Sequence, residues 1–81
     1  MDQNTTVFTP QKDESKRVKE IMEEVVEALK DKGYEPVSQI IGYILSGDPT
    51  YITAHKNARA LICKIERDDL LQEMIRKYLD I

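Results

Sequence analysis

Residues 32–52 constrain the fold more than any other stretch, because they hold all three glycines and two of the three prolines of the chain. Gly33 is suited to end one helix, since glycine adopts the left-handed backbone conformation at little cost. Pro36 is suited to the first turn of the next helix, where its missing N–H would have no partner anyway. Gly47 marks the end of that helix. The stretch therefore predicts a short helix over 36–46, against which the flanking helices fold back.

This second helix has one apolar face and one glycine in its interior. The apolar residues follow the i, i+3, i+4, i+7 spacing of a helix face and are Val37, Ile40, Ile41, Ile44 and Leu45. Gly42 lies off that face and costs about 1 kcal/mol relative to alanine in a helix interior. Two explanations remain open. Either another helix approaches the backbone closely, as at a dimer interface, or the helix simply tolerates the glycine.

A long helix precedes this segment and a short helical turn follows it. The first helix, from about Glu14 to Lys32, carries an apolar stripe opposite a face of mixed charge. The stripe consists of Val18, Ile21, Met22, Val25, Val26 and Leu29. The turn follows Pro49, since Asp48 is a favourable N-cap and proline suits the first helical position.

Two more helices complete the prediction. The first, from about His55 to Ile65, has as inward-facing residues Ala58, Leu61, Ile62 and Ile65. The last runs from about Asp69 to Leu79, with Asp68 as its cap. Its apolar residues span nearly half of the circumference and are Leu70, Leu71, Met74, Ile75, Tyr78 and Leu79. One neighbouring helix would leave part of this face exposed, so two neighbours or a second chain must cover it.

Length and composition favour one small domain that associates with a second copy. The chain has 81 residues and a single cysteine, Cys63, so no disulfide can form within it. A domain of this size buries only about 60% of its unfolded surface, and self-association is a common way to add buried area. We therefore expect an all-α bundle of about four to five short helices, in an intertwined or packed homodimer, with a flexible N-terminal tail.

Charge and hydropathy limit the partners and the compartment. The net charge of −3 counts weakly against nucleic acid as the main partner. The sequence has no apolar run near 18 residues and no apolar N-terminal region, so we expect neither membrane insertion nor a signal peptide. A lone cysteine then fits the reducing cytoplasm.

The polar N-terminal residues are the first candidate for function. Residues 1–13 lack helical or strand periodicity and contain three threonines, so we expect a flexible tail in front of a helical domain over 14–81. Val7 and Phe8 are apolar exceptions within this tail. They either dock on the body or on a partner, or they belong to an ordinary disordered terminus.

A basic segment is the second candidate. Residues 54–67 hold four Lys or Arg against one Glu, which gives +3 within a chain of −3. At 100° per residue, the side opposite the apolar residues carries Lys56, Arg59, Cys63 and Arg67, within about 80° of arc. Such a face suits a phosphate or an acidic protein surface. A merely solvated helix face is the alternative.

The sequence contains no recognisable catalytic site. His55 has no second histidine or cysteine at ligand spacing, and Cys63 has no base beside it. The glutamates of the first helix fit a solvated face better than a metal or acid–base site, and there is no glycine-rich phosphate loop. We therefore expect no catalysis, no metal and no cofactor.

Several motifs occur together in this chain at a specific separation. They are Lys32-Gly33-Tyr34-x-Pro36-Val37, Gln39-Ile40-Ile41-Gly42-Tyr43-Ile44-Leu45-Ser46-Gly47-Asp48-Pro49-x-Tyr51-Ile52, Ala58-Arg59 and Glu66-Arg67-Asp68. On these motifs the chain resembles the IreB/ReoM family, over roughly residues 15–79. The members of that family are small cytoplasmic regulatory phosphoproteins of Gram-positive bacteria.

The resemblance implies control by phosphorylation and a set of partners. Family members are phosphorylated on an N-terminal threonine by a membrane Ser/Thr kinase with extracellular PASTA domains, and a partner phosphatase reverses this. The unphosphorylated form regulates cell-envelope synthesis, which links the family to cephalosporin resistance. In some members it promotes Clp proteolysis of the first committed enzyme of peptidoglycan precursor synthesis, and phosphorylation relieves this. Family members form helical homodimers.

The resemblance also implies site residues. The family's phosphothreonine is followed by an apolar residue and, shortly after, by phenylalanine, a pattern that Thr6 matches best. Thr5 and Thr9 are weaker candidates. An arginine that the family uses for function corresponds to Arg59. Family members are often basic at two further positions where this chain is not, so the implied partner-binding residues are Lys56, Arg59, Lys64 and Arg67.

Two other functions compete with that of a phosphorylation-controlled regulator. A small DNA-binding helix-turn-helix protein also joins short helices by glycine turns, but the acidity of the chain and its few basic residues count against it. A steep salt dependence of nucleic-acid binding would separate this function from the first. An enzyme subunit is the third hypothesis, and no feature of the sequence favours it.

Overall fold

The computed structural model describes residues 11–81, and every regular element within that range is helical. The four α-helices are α1 Gln11–Asp31, α2 Pro36–Ser46, α3 Ala58–Ile62 and α4 Arg67–Leu79. Two short 3-10 turns, Pro49–Tyr51 and His55–Asn57, lie between α2 and α3. The predicted all-α fold is confirmed.

The predicted N-terminal tail lies mostly outside the described residues. Residues 11–13 were assigned to that tail, but they belong to the first turn of α1, which begins three residues earlier than predicted. Pro10 directly precedes Gln11, and proline is tolerated at a helix start because the N–H groups there have no intrahelical partner. At its other end α1 stops at Asp31, and Gly33 follows with the predicted left-handed backbone.

The core is built on the apolar stripe of α1. Four residues of the stripe are buried as predicted: Val18, Ile21, Val25 and Leu29. The other two, Met22 and Val26, are half-buried. Ile52, Ile62 and Leu70 pack into the same cluster from the turn region, α3 and α4, and each is fully buried. Full burial of such side chains contributes roughly 1.5–3 kcal/mol each, so this cluster holds the helices together.

The apolar face of α2 is only partly covered by the body. The most buried residue of α2 is Tyr43, at 5% exposure, while Ile40 and Ile44 are half-buried and pack against the core. The rest of the predicted apolar face is exposed, at 62%, 50% and 79% for Val37, Ile41 and Leu45. This follows because α2 is attached to the body along the side that carries Tyr43.

Gly42 lies on the attached side of α2. A Cβ added there would lie 2.5 Å from Cδ1 of Tyr51, well inside normal contact distance. Gln39 strengthens the same attachment, since its Nε2 donates a hydrogen bond of 2.8 Å to the Tyr51 carbonyl. A close approach therefore explains the glycine. The neighbour is an aromatic ring of the same chain and not the backbone of another helix.

The helix predicted over 55–65 is interrupted near its start and ends early. Lys56 and Asn57 have positive φ angles of 54° and 65°, which separate the 3-10 turn from α3. α3 ends at Ile62, with Cys63 as its C-cap. The prediction of its inward-facing residues is nonetheless confirmed: Ala58, Ile62 and Ile65 are buried and Leu61 is half-buried.

α4 begins two residues earlier than predicted. The residue before it is Glu66, whose side chain makes no capping hydrogen bond, so the prediction that Asp68 caps this helix is wrong. Asp68 instead lies in the first turn, where its carboxylate accepts a hydrogen bond of 2.9 Å from the backbone N–H of Asp69. Acidic residues at this position still stabilise the helix, because they lie near the positive end of its dipole.

Candidate functional site

The three predicted phosphorylation sites, Thr5, Thr6 and Thr9, lie outside the described residues. The candidate site on the helical body therefore consists of the predicted basic residues and of apolar side chains left exposed by the packing.

Lys56 lies in a charged cluster at the end of α1. Its Nζ is 2.9 Å from Asp31 Oδ2 and 3.4 Å from Glu27 Oε2. His55 Nε2 is 3.3 Å from the same Asp31 oxygen. The hydrogen bond from Lys56, followed by that from His55, lowers the pKa of Asp31, and the Asp31 carboxylate raises the pKa of Lys56. The cluster links the 3-10 turn to α1, and no sequence pattern pointed to it.

Both predicted arginines donate hydrogen bonds to backbone carbonyl groups. Arg59 is half-buried, and its Nε donates a hydrogen bond of 2.9 Å to the Ile52 carbonyl. Arg67 Nη1 donates one of 2.8 Å to the Ile44 carbonyl, within the last turn of α2, where carbonyl groups lack intrahelical partners. A guanidinium carries five N–H donors. Each arginine therefore has further N–H groups that can donate hydrogen bonds to a carboxylate or phosphate of a partner.

The four predicted basic residues are spread along the body and do not form one patch. The Lys64 carbonyl accepts a hydrogen bond of 2.7 Å from Arg17 Nη2, near the start of α1. Lys56 lies beside Asp31, at the other end of that helix. Arg17 and Asp31 are about 21 Å apart along the axis at 1.5 Å per residue. The role of these residues in partner binding stays a prediction, and Arg17 is a contact that the sequence pattern missed.

Gly47 has a left-handed backbone and lies against the guanidinium of Arg67. Its φ is +77°, and an added Cβ would lie 2.8 Å from Cζ of Arg67. We expect Gly47→Ala to lower the free energy of unfolding by about 2 kcal/mol or more, since left-handed strain alone costs about 1–2 kcal/mol. Gly33→Ala is the matched control, because Gly33 has a φ of +82° with nothing within 4 Å of an added Cβ.

Urea unfolding at a single protein concentration measures both variants. The control should show the strain alone, and the additional loss in Gly47→Ala should shrink when Arg67→Ala is introduced as well. Equal losses for the two glycine variants would contradict the inferred contact between position 47 and the guanidinium.

Exposed apolar side chains form a second feature, with one row on α2 and one on α4. The α4 row contains Leu71, Ile75 and Leu79, which are 42%, 48% and 56% exposed. Ile44 and Leu71 line the same shallow pocket, so the two helices are neighbours there. We define the α2–α4 face as the two rows together: Val37, Ile41, Leu45, Leu71, Ile75 and Leu79.

The sequence predicted both halves of the α2–α4 face as apolar surfaces but did not fix what covers them. The breadth of the apolar face on α4 implied cover by two neighbours or by a second chain, and within one chain part of it stays exposed. The α2 row belongs to the predicted apolar face of that helix and is exposed as well. Large exposed apolar patches on a small protein mark interaction sites, so the two rows are a candidate site for contact with another protein chain.

Within residues 11–81, no group of three or more His, Cys, Asp or Glu side chains is arranged to hold a metal ion. None of the helices in this range combines the length and hydropathy that crossing a bilayer requires. Cys63 is exposed. The pKa of the Tyr43 hydroxyl is raised, mainly because Tyr43 is buried and also because Cys63 lies beside it.

Comparison with known proteins gives consistent results over nearly the whole chain. A family model described as IreB regulatory phosphoprotein matches residues 3–80. A UPF0297 protein of Lachnoclostridium phytofermentans is 54% identical over 77 residues, covering 95% of this chain and 88% of the relative. UPF0297 proteins of Acetivibrio thermocellus and Ruminiclostridium cellulolyticum are 53% and 50% identical over 76 residues, covering 94% of this chain and 84% and 86% of the relatives. Neither comparison supports the DNA-binding alternative.

Proposed function

The chain belongs to the IreB family of regulatory phosphoproteins, and on this basis we propose that it is a phosphorylation-controlled regulator that acts in the cytoplasm by binding other proteins. The observation that carries the proposal is the match of the family model described as IreB regulatory phosphoprotein to residues 3–80. The residues of the α2–α4 face, which are 42% to 79% exposed, supply apolar surface for contact with another protein chain, a second copy included. Placing such side chains against a partner removes apolar area from water, which contributes about 25 cal/mol per Å². Binding, and not catalysis, is the proposed activity.

The partners that we propose follow from the family resemblance. A Ser/Thr kinase with PASTA domains adds the phosphate, and its partner phosphatase removes it. The regulated process is synthesis of cell-envelope and peptidoglycan precursors, controlled through protein contacts that include Clp-dependent proteolysis. The description of the family as phosphoproteins supports a kinase and a phosphatase among the partners.

We propose Thr6 as the principal phosphate acceptor, ahead of Thr5 and Thr9. It lies within the range that the family model matches, and the apolar residue and phenylalanine that follow it fit the family pattern. Phosphate there adds about −1.5 to −2 charge and strong acceptor oxygens. Modification at this position thus changes the charge of the chain close to the start of α1.

Reach limits which basic residues the phosphate can contact. Thr6 is five residues before Gln11, so an extended chain carries it up to about 17 Å from the start of α1. Arg17 and the Lys64 carbonyl lie at this end of α1, whereas Lys56 lies beside Asp31 at the far end, about 30 Å away. We therefore propose that Lys56 serves a partner protein and not the phosphate of the same chain. Arg59 is proposed as a partner contact from the family resemblance.

Self-association completes the proposal. We propose a homodimer that buries the α2–α4 face, because a chain of 81 residues has a small core and leaves these apolar rows exposed. The same three-residue rows repeat at i, i+4, i+8 on both helices. Such rows can pack against their own copies across a two-fold axis, as an isologous interface requires.

A paired capture experiment tests the proposed function. Unmodified and Thr6-phosphorylated chains, immobilised at equal density, are exposed to extract from the source organism, and the bound proteins are identified by mass spectrometry. We expect at least one protein of envelope synthesis or proteolysis to bind one form preferentially. Identical sets of captured proteins would contradict control by phosphorylation.

A further inference from the structure

We propose that a groove between α1 and α4 is the docking site for Val7 and Phe8 of the chain's own N-terminal segment. The groove has a volume of about 450 Å³. Its apolar lining comes from three helices and consists of Val18, Met22, Val26, Ile40, Met74 and Tyr78. Tyr78 is 89% exposed, and most of the others are half-buried. The described body therefore forms this apolar surface but does not fill it.

The groove is separate from the α2–α4 face. None of the six residues of that face lines it. On α4, Met74 and Tyr78 line the groove, whereas Leu71 and Ile75 belong to the exposed row beside it. A second copy seated on the α2–α4 face thus leaves the groove to be filled by something else.

The N-terminal segment has the reach to fill it. Phe8 is three residues before Gln11, so an extended chain carries it up to about 10 Å from that residue. Ser15, at the near end of the groove, lies about 6 Å along the helix axis from Gln11. A chain that reverses direction before α1 therefore brings Phe8 to the near end of the groove.

The sequence of the segment suits this reversal. Val7 and Phe8 are its apolar side chains nearest to α1. Pro10 disfavours a helical backbone at Thr9, so α1 is not expected to continue back through Phe8. Burial of Val7 and Phe8 favours docking, whereas fixing the backbone between Val7 and α1 opposes it. Because these contributions oppose each other, one added charge can change how often the segment docks.

The rim of the groove supplies a response to such a charge, a step that rests on the proposed function. Lys19 and Lys77 line the groove together with a single acidic residue, Glu73. A phosphate on Thr6 lies one residue from Val7 and adds negative charge beside these two lysines. Phosphorylation therefore strengthens the docking of the segment, which in its unmodified form occupies the groove for a smaller fraction of the time.

Methyl NMR of the full chain tests the docking. The ε-methyl groups of Met22 and Met74 report on the groove, and the δ1-methyl of Ile41, on the α2–α4 face, is the internal control. Phe8→Ala removes the aromatic ring, so the two methionine signals should move while the Ile41 signal stays in place. The proposal would be overturned if Phe8→Ala leaves the methionine chemical shifts unchanged in both the unmodified and the phosphorylated chain. It would also be overturned if these chemical shifts change only with protein concentration.

The phosphate dependence is tested by a second comparison. The effect of Phe8→Ala on the methionine signals should be larger in the Thr6-phosphorylated chain, and the double variant Lys19→Gln, Lys77→Gln should abolish this increase. Equal effects in both forms would overturn the control by phosphate while supporting docking. The unmodified chain tests docking even if no kinase modifies Thr6, so the failure of the proposed function and the failure of the docking are distinguishable.

Discussion

Alanine in place of Thr6 should abolish most kinase-dependent phosphorylation of the chain while leaving its helical body intact. The expected effect is large, because the substitution removes the hydroxyl oxygen that accepts the phosphate. Thr6 precedes Gln11, the first residue of α1, so the change removes no contact described within the body. Quantitative phosphopeptide mass spectrometry after kinase treatment measures the result.

Thr5→Ala and Thr9→Ala are matched controls for this experiment. Each removes one threonine hydroxyl from the same segment, and each should retain nearly full phosphorylation. Circular dichroism should show the same helix content for all three variants. Full phosphorylation of Thr6→Ala, with loss in one of the controls, would assign the acceptor to that control position instead.

Aspartate in place of Ile41 should convert the proposed dimer into a monomer. Ile41 is 50% exposed within one chain, so the change adds a charge to the surface without opening the core. In the dimer the same carboxylate would be buried without a partner, which costs several kcal/mol. At about 3 kcal/mol the dissociation constant rises more than a hundredfold. Sedimentation velocity should show the variant near 9.4 kDa and the parent chain near twice that mass.

Ala54→Asp is the control for added negative charge. Ala54 is exposed and lies outside the α2–α4 face, before the His55–Asn57 turn, so this variant should sediment with the parent chain. A dimer that survives Ile41→Asp would place the interface elsewhere. A parent chain that sediments as a monomer at all concentrations would contradict self-association altogether.

Local chemistry made the ends of α2 predictable from the sequence. Pro36 and Gly47 fix a backbone angle or permit one that other residues avoid, and these preferences act within a few residues. The observed helix, Pro36–Ser46, has the predicted bounds. The stripe of α1 was predictable for a similar reason, since a long periodic pattern identifies a buried face without reference to a particular neighbour.

The face that α2 presents to the core was not predictable in this way. An apolar stripe shows which side prefers to leave water, but not whether the same chain or a second one covers it. The contact between Gly42 and Tyr51 decides this for α2, and it depends on the path of the chain after Gly47. The exposed stripe and the buried Tyr43 follow from that attachment.

The basic face failed as a prediction of geometry because it assumed one continuous helix. Projecting residues 54–67 at 100° per residue requires regular helical backbone throughout. Lys56 and Asn57 adopt left-handed backbone angles, and α3 ends at Ile62. The helical backbone is therefore interrupted in two places, and the residues on either side do not share one helix face. Asparagine is among the residues that tolerate this conformation, but lysine has no such preference, so nothing in the sequence marked the break.

The central claim is that phosphate on the N-terminal segment decides which protein the helical body binds. Its most direct test is isothermal titration of one captured partner with the unmodified and the Thr6-phosphorylated chain, in the same buffer and at the same ionic strength. We predict dissociation constants that differ at least tenfold, which corresponds to about 1.4 kcal/mol. Equal constants for the two forms would contradict the claim.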